Sequence, residues 1–368
     1  MVKVPSSKDK FSGRIPNVNW KSINPEWKKD CFRIRQDIEE YHEQGSKEWL
    51  DSRERCVCAS DLGNLFGFWS RYGSALYGKL TGAKVSTISA QRDINMKLCY
   101  NKVCYAFKRL YNDGEIAEVP EHIMNCEPCK NESNAAMQWG KIHETNALKV
   151  VHDETDFVIA ESGLKKSKHE IVVGDTKLPL YIGASPDGLI NTDIIDGVGE
   201  NAVLEIKCST PFIPEKDAYK YFKRMKWKTF PHYYVSQVQL QMYQTKRMHA
   251  YLVNYTPTDG VKIMKMKFNA RYMELVIDMI KTFAIYAWSN SKPPREDFWS
   301  TYENYEEYLR LNDEIVKSIE DYRDVPSIVV ERYLKPFYIR NGDHDEDLFL
   351  DHLEPEKKNT IREIVLVS

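Results

Sequence analysis

The stretch Leu180–Lys207, LYIGASPDGLINTDIIDGVGENAVLEIK, constrains this chain more than any other. Two short apolar, strand-like runs bracket it, Leu180–Ile182 and Ala202–Ile206. Asp187 follows the first run inside Ser-Pro-Asp-Gly, where Pro186 presets a turn and Gly188 accepts a positive φ. Glu205 lies in the second run, two residues before Lys207, so both side chains point to one face of a strand. A carboxylate and an ammonium on one face of a buried strand are costly as mere packing. Two carboxylates from neighbouring strands, with a lysine beside them, form an oxygen cage suited to Mg²⁺. Taken singly, these residues describe a surface turn and a strand salt bridge; together they favour a metal site.

The 368 residues allow one large domain or two. With 42% hydrophobic and 12% aromatic residues, the chain can bury a sizeable core. The net charge is −2, so any nucleic-acid surface must be a local patch offset by acid elsewhere. The opening MVKVPSSKDKFSGR predicts no secretory leader, and no run of about 18 apolar residues predicts a membrane span. Eight scattered cysteines predict a reducing, intracellular compartment. The absence of G-x-x-x-x-G-K-[ST] disfavours a P-loop motor.

In chain order, 1–45 reads as a polar lead-in with a helix around Lys29–Gln44. Trp49 and Arg53 are four apart and share a helix face. An irregular piece, Cys56–Ala59, then leads to Ser60 as N-cap of a helix from Asp61. An arginine beside a helix N-terminus suits a phosphate, although a capping serine and a surface arginine explain the same residues. Tyr72–Thr81, Met96–Tyr111 and Asn134–Val151 read as helices, and Glu144 lies on the last. Gly140 inside that helix predicts close backbone packing. A zinc site of Cys99, Cys104, Cys126 and Cys129 is the lesser reading, beside reduced structural thiols. Phe157–Ala160 and Glu170–Val173 read as strands.

Between 216 and 228 six lysines and arginines, Lys223, Arg224 and Lys226 among them, interleave with Tyr219, Tyr221, Phe222 and Trp227. That mixture suits phosphates and bases, and equally a solvated charged face. Tyr233–Thr245 is an amphipathic helix carrying Gln237, Gln239 and Gln241. His249–Tyr255 and Val261–Phe268 then read as a strand pair and Tyr272–Trp288 as a helix. Residues 291–368 form an acidic extension in which no chemistry is evident.

Five motifs stand in one order: Trp49-x-x-x-Arg53 with Ala59-Ser60, Trp139-Gly140-Lys141-x-x-Glu144, Ser185-Pro-Asp-Gly-Leu189, Leu204-Glu-Ile-Lys-Cys208 and Gln237-Val-Gln239. Together they resemble the bacteriophage lambda exonuclease or YqaJ-like viral recombinase family of the PD-(D/E)xK nucleases, which includes the alkaline nucleases of large DNA viruses. The resemblance runs from Trp49 to about Trp288. It implies an α/β, restriction-endonuclease-like core, a central mixed sheet flanked by helices, with a helical N-terminal part. The expected domain spans 46–290, with an insertion about 67–133.

The resemblance also implies a Mg²⁺-dependent deoxyribonuclease, with Mn²⁺ an acceptable substitute, digesting linear double-stranded DNA from 5′ to 3′. Asp187, Glu205 and the Ile206 carbonyl would bind metal, and Glu144 a second metal or its water. Lys207 would orient or deprotonate the attacking water. Arg53, Ser60 and Gln237 would hold the 5′ phosphate; the family has threonine where this chain has Cys58. Implied partners are a single-strand annealing or binding protein and two further copies in a trimer; no membrane is implied, and a eukaryotic virus would place the chain in the host nucleus or cytoplasm. An endonuclease, an RNA-cleaving nuclease and a non-catalytic DNA binder are the competing readings.

Overall fold

The computed structural model describes residues 10–12, 31–35, 42, 44–82, 92–128, 135–191, 201–210, 212–215, 218–221, 224–256 and 259–330. Strands β1 (Lys10–Ser12) and β2 (Phe32–Arg35) precede helix α1 (Lys47–Glu54) and strand β3 (Cys56–Cys58). Helices α2 (Leu62–Leu65), α3 (Arg71–Thr81), α4 (Arg92–Asn112), α5 (Glu121–Met124) and α6 (Ala135–Glu154) follow. Next come strands β4 (Ile159–Glu161), β5 (Lys165–Val173), β6 (Thr176–Ala184), β7 (Gly188–Asn191), β8 (Asn201–Cys208), β9 (Phe212–Glu215) and β10 (Ala218–Tyr221). The chain continues through α7 (Val235–Thr245), β11 (His249–Thr256), β12 (Gly260–Lys267), α8 (Ala270–Ser289), α9 (Tyr305–Ser318) and β13 (Glu320–Val325).

A mixed sheet in the order β13-β12-β11-β8-β7-β4-β2 organises the molecule. The β8–β11 and β2–β4 pairs are parallel and the remaining pairs antiparallel. Its central strands are buried on both faces, so their side chains alternate between two cores. Val203, Ala250, Leu252, Met264 and Met266 face a large core shared with α7, α8 and α9. Ala202, Leu204, Ile206, Tyr251, Val253 and Ile263 face a smaller core that α6 covers with Ala147, Leu148, Val150 and Val151. A second sheet, β3-β6-β5, carries α1 beside it, and a small sheet joins β1, β10 and β9.

Helix α8 shows how sequence sets an element. Asn269 caps it, its Oδ1 accepting from the Tyr272 N–H at 2.9 Å. Tyr272, Met273, Val276, Met279, Ile280, Phe283, Ala284 and Ala287 then recur at three- and four-residue spacing and are buried.

Several expectations need correction. The helix expected around 29–44 is a strand at Phe32–Arg35, pairing in parallel with β4; residues 36–41 lie outside the described residues. Cys56–Ala59 is not irregular, since Cys56–Cys58 pairs with Tyr181–Gly183. Strand β7 was hidden by the turn before it: Gly188-Leu-Ile-Asn191 is four residues long, and it, not β6, neighbours β8. Gly188 does not take a positive φ. A Cβ there would meet Ile159 Cγ2 at 2.9 Å and Leu204 Cδ2 at 3.4 Å, so glycine serves the close approach of β7 to its neighbours. Gly140 is the reverse case, with no atom within 4 Å of a Cβ built on it.

The described part of the expected C-terminal extension, 291–330, is packed into the large core. Trp299, Tyr305 and Tyr308 are buried there. The Trp299 indole N–H donates to the Leu65 carbonyl at 2.8 Å, and the Tyr305 hydroxyl to the Phe66 carbonyl at 2.8 Å. Strand β13 then closes one edge of the main sheet. Trp299→Ala should therefore destabilise the protein by about 3–5 kcal/mol. Urea denaturation checks this; a loss below about 1 kcal/mol would show that the segment is an appendage after all.

Candidate active site

Three elements converge on one cleft of about 670 Å³. Glu144 comes from α6, Asp187 from the turn before β7, and Ile206, Lys207 and Cys208 from the end of β8; all line it. Lys141, Arg224, Trp69, Trp227, Tyr233 and Tyr234 line it too. The Asp187 Oδ2 accepts from the Ile206 N–H at 2.6 Å, which ties the turn to the strand.

Glu205 sits behind the cleft wall, 3% exposed. Lys207 Nζ lies 2.6 Å from its Oε1, the same-face contact that the alternation of a strand requires. Gln237 Nε2 donates to Oε1 at 2.5 Å and Gln241 Nε2 to Oε2 at 2.6 Å. A carboxylate offers about four lone-pair positions, so these three contacts leave one open. Gln239 faces elsewhere: its Nε2 donates to the Lys267 carbonyl, and its Oε1 accepts from the Asn269 N–H.

The electrostatics describe a crowded anionic site with one embedded cation. Burial, then Glu205, then Glu144 push Asp187 well above the usual carboxylate range. Burial works against charge on Lys207, but Glu205, Tyr234 and Asp187 outweigh it and raise its pKa. Lys207 is therefore a cation beside Glu205, with Nζ 4.8 Å from the Tyr234 ring centre. His143 turns away from this chemistry. It packs on Trp139, ring centres 3.9 Å apart, and burial lowers its pKa to about 3.

Among the described residues, no three His, Cys, Asp or Glu side chains gather as a ready metal cage. Mg²⁺ does not require one, because it keeps several waters and takes one or two carboxylates plus substrate phosphate. The like-charged crowding of Asp187, Glu205 and Glu144 beside an open cleft fits such a cation. The described members of the cysteine set are engaged with backbone carbonyls. Cys99, Cys104 and Cys126 donate to the carbonyls of Asp61, Ala287 and Asn101 respectively, and Cys129 lies outside the described residues.

A smaller cavity of about 20 Å³ is lined by Gln237 and Gln241, whose amides hold Glu205. Arg53, Cys58 and Ser60 line it. Arg53 lies over the Trp49 ring, 4.4 Å from its centre, and its Nη2 donates to Ser60 Oγ at 2.9 Å. Ser60 is not the N-cap expected of it. It sits in a 3-10 turn, Ala59–Asp61, and α2 beyond is a single turn with no side-chain cap. The Cys58 thiol points to the Arg53 and Cys56 carbonyls, and burial raises its pKa.

The basic stretch divides. Arg224 lines the cleft, its Nε donating to the Thr210 carbonyl at 3.1 Å. Lys226 instead pairs with Asp324 of β13, and Lys223 lies outside the described residues.

The model of the YqaJ-like viral recombinase domain matches residues 48–248, more than half of the chain. The chain belongs to that family. Solved structures similar to it include the alkaline exonuclease LHK-Exo from Laribacter hongkongensis. That protein is 19% identical, with 73% of this chain and 98% of that one covered and a TM-score of 0.37. Its complex with dAMP gives 21%, the same coverage and 0.34. No curated protein matches the chain.

The YqaJ-like match begins in α1 and ends just before β11, so it includes every acidic residue named for the site. Outside it lies one contributor that the sequence reading missed. Asn254 of β11 donates to the Lys207 carbonyl at 3.3 Å and accepts from the Trp227 N–H at 2.8 Å, which docks the cleft wall on the strand. Gln241, inside the match, was also missed, although its i,i+4 spacing from Gln237 signals a shared helix face. The electrostatics make a test. Asp187 has a folded-state pKa above its unfolded one, so its ionisation costs stability once pH exceeds the unfolded value. Asp187→Asn should raise the Tm in metal-free buffer at neutral pH, and the gain should shrink as pH falls below the raised pKa and vanish below the unfolded value. A Tm unchanged or lowered at neutral pH would mean that Asp187 is not under like-charge strain.

Proposed function

We propose that the chain is a Mg²⁺-dependent deoxyribonuclease that digests linear double-stranded DNA from its 5′ ends. The observation that carries this reading is the convergence of Asp187, Glu144 and Lys207 on one cleft with Glu205 buried behind them. Family membership and the names of the similar structures, both alkaline exonuclease, agree with it.

Asp187, Glu205 through its open position, the Ile206 carbonyl and Glu144 would hold Mg²⁺. Bound there, the ion supplies Lewis-acid polarisation of the scissile phosphate. The chain's own groups do the rest. Lys207, held as a cation by Glu205, orients the attacking water and offsets charge on the phosphate. Gln237 and Gln241 fix the Glu205 carboxylate, so its orientation is set before substrate arrives. Arg224 and Lys141 steer the backbone into the cleft.

Arg53, Ser60 and Gln237 would grip the terminal phosphate. A guanidinium stacked on Trp49 is already oriented, and it prefers a terminal phosphate because that group carries more charge than a diester. The cavity of about 20 Å³ is small, so the phosphate displaces the Arg53–Ser60 contact on entry. Gln237 touches both sites and would set the spacing between the end and the cut.

Linear and closed circular duplex DNA, each with Mg²⁺ or EDTA, test the reading. The linear form should disappear only with Mg²⁺ and the circle should persist; an opened circle points to an endonuclease, and two intact substrates to a DNA binder. Glu205→Gln should abolish cleavage and keep DNA binding, and cleavage within a few-fold of wild type would remove Glu205 from the site. Arg53→Ala should reduce the preference for 5′-phosphate over 5′-hydroxyl ends by roughly 10- to 150-fold, the value of one charge-assisted hydrogen bond. Initial rates on the two end types measure it. A preference retained in the variant makes Arg53 structural.

A further inference from the structure

The cleft has an aromatic wall that the proposed chemistry does not use. Trp69, at the turn before α3, and Tyr233, before α7, have ring centres 4.3 Å apart. Tyr234 stands 4.6 Å from Tyr233, and Trp227 5.9 Å from Tyr234. All four rings line the cleft that holds Glu144 and Asp187. Each is only half-buried, whereas neighbouring Phe66 and Phe68 are sealed in the core.

The wall is also fixed in place. A Cβ on Gly63 would meet the Tyr233 carbonyl oxygen at 2.7 Å, so only glycine lets α2 lie against this backbone. Asn254 accepts from the Trp227 N–H, and the Asp259 carboxylate accepts from the Lys226 N–H beside it at 2.8 Å. Tyr234 carries the Lys207 ammonium over its ring, which makes the wall continuous with the site.

We propose that Trp69 and Tyr233 form a platform on which unpaired bases of a DNA strand stack, while its phosphates pass Lys207, Lys141 and Arg224. The proposal rests on the nuclease reading for its substrate. Cations and π-faces along one cleft match the two halves of a nucleotide, and stacking on them is indifferent to sequence because every base has a face. A paired base has its faces covered by its neighbours in the duplex, so the platform takes bases already unstacked. A platform for unstacked bases makes overhung or frayed ends better ligands than blunt ones.

The test keeps backbone charge constant and removes the bases. A 5′-phosphorylated single strand is compared with the same strand carrying abasic residues at its 5′-terminal positions, by equilibrium binding in EDTA. Wild type should bind the intact strand roughly 5- to 150-fold more tightly, the range of one base stacked on an aromatic ring. Trp69→Ala should bring the two strands close to equal, and Trp69→Phe should restore most of the difference. Equal binding of the two strands by wild type overturns the proposal without any variant, and so does an undiminished difference in Trp69→Ala. Because no cleavage is needed, a failure of the nuclease reading appears separately, as loss of Mg²⁺-dependent digestion of linear duplex.

Discussion

Glu205 is the group on which the arrangement depends. An ionised carboxylate at 3% exposure is untenable in a protein interior unless its acceptor positions are met. Lys207 meets it from the same strand, and Gln237 and Gln241 from the helix above. That need explains why this helix buries Gln237 and Gln241, one helical turn apart. It also explains why β8 must be central: only a strand flanked by β7 and β11 can carry Glu205 on one face while Leu204 and Ile206 pack under α6 on the other.

Asp187 has less compensation, with Lys207 and the Ile206 N–H favouring its charge but outweighed. Its one described hydrogen-bond donor is the Ile206 N–H, and Glu205 and Glu144 both oppose its ionisation. The two acids therefore differ in kind, one stabilised by the fold and the other destabilised by its neighbours. Destabilised charge beside an open cleft is the electrostatic signature of a functional site.

The long periodic elements were legible in the sequence because their signal is local. The helices at 72–81, 96–111, 134–151 and 272–288 and the strands of β8, β11 and β12 lie where their periodicity places them. Glu205 and Lys207 were legible for the same reason, since two residues on a strand share a face whatever surrounds them. What failed was set by distant partners. Phe32–Arg35 is a strand only because β4 offers an edge, and β7 is four residues long beneath a Pro-Asp-Gly turn. Ser60 reads as a helix cap, but its hydroxyl accepts from Arg53, and that distinction lives in three dimensions. The aromatic residues of 298–308 gave no sign that Leu65 and Phe66, over 230 positions earlier, supply their hydrogen-bond acceptors.

Charge shows the same division between local and distant determinants. The run 216–228 reads as one basic patch, yet its described members do different work. Lys226 pairs with Asp324, and on the neighbouring strand Lys262 pairs with Asp321 at 2.9 Å and Lys267 with Glu320 at 3.2 Å. The acidic β13 thus offsets three lysines along one edge of the sheet. Arg224 is turned the other way, into the cleft with Lys141 and Lys207. A chain of net charge −2 can in this way keep a cationic cleft: the acid of β13 quiets cations outside it, and Arg224, Lys141 and Lys207 remain inside.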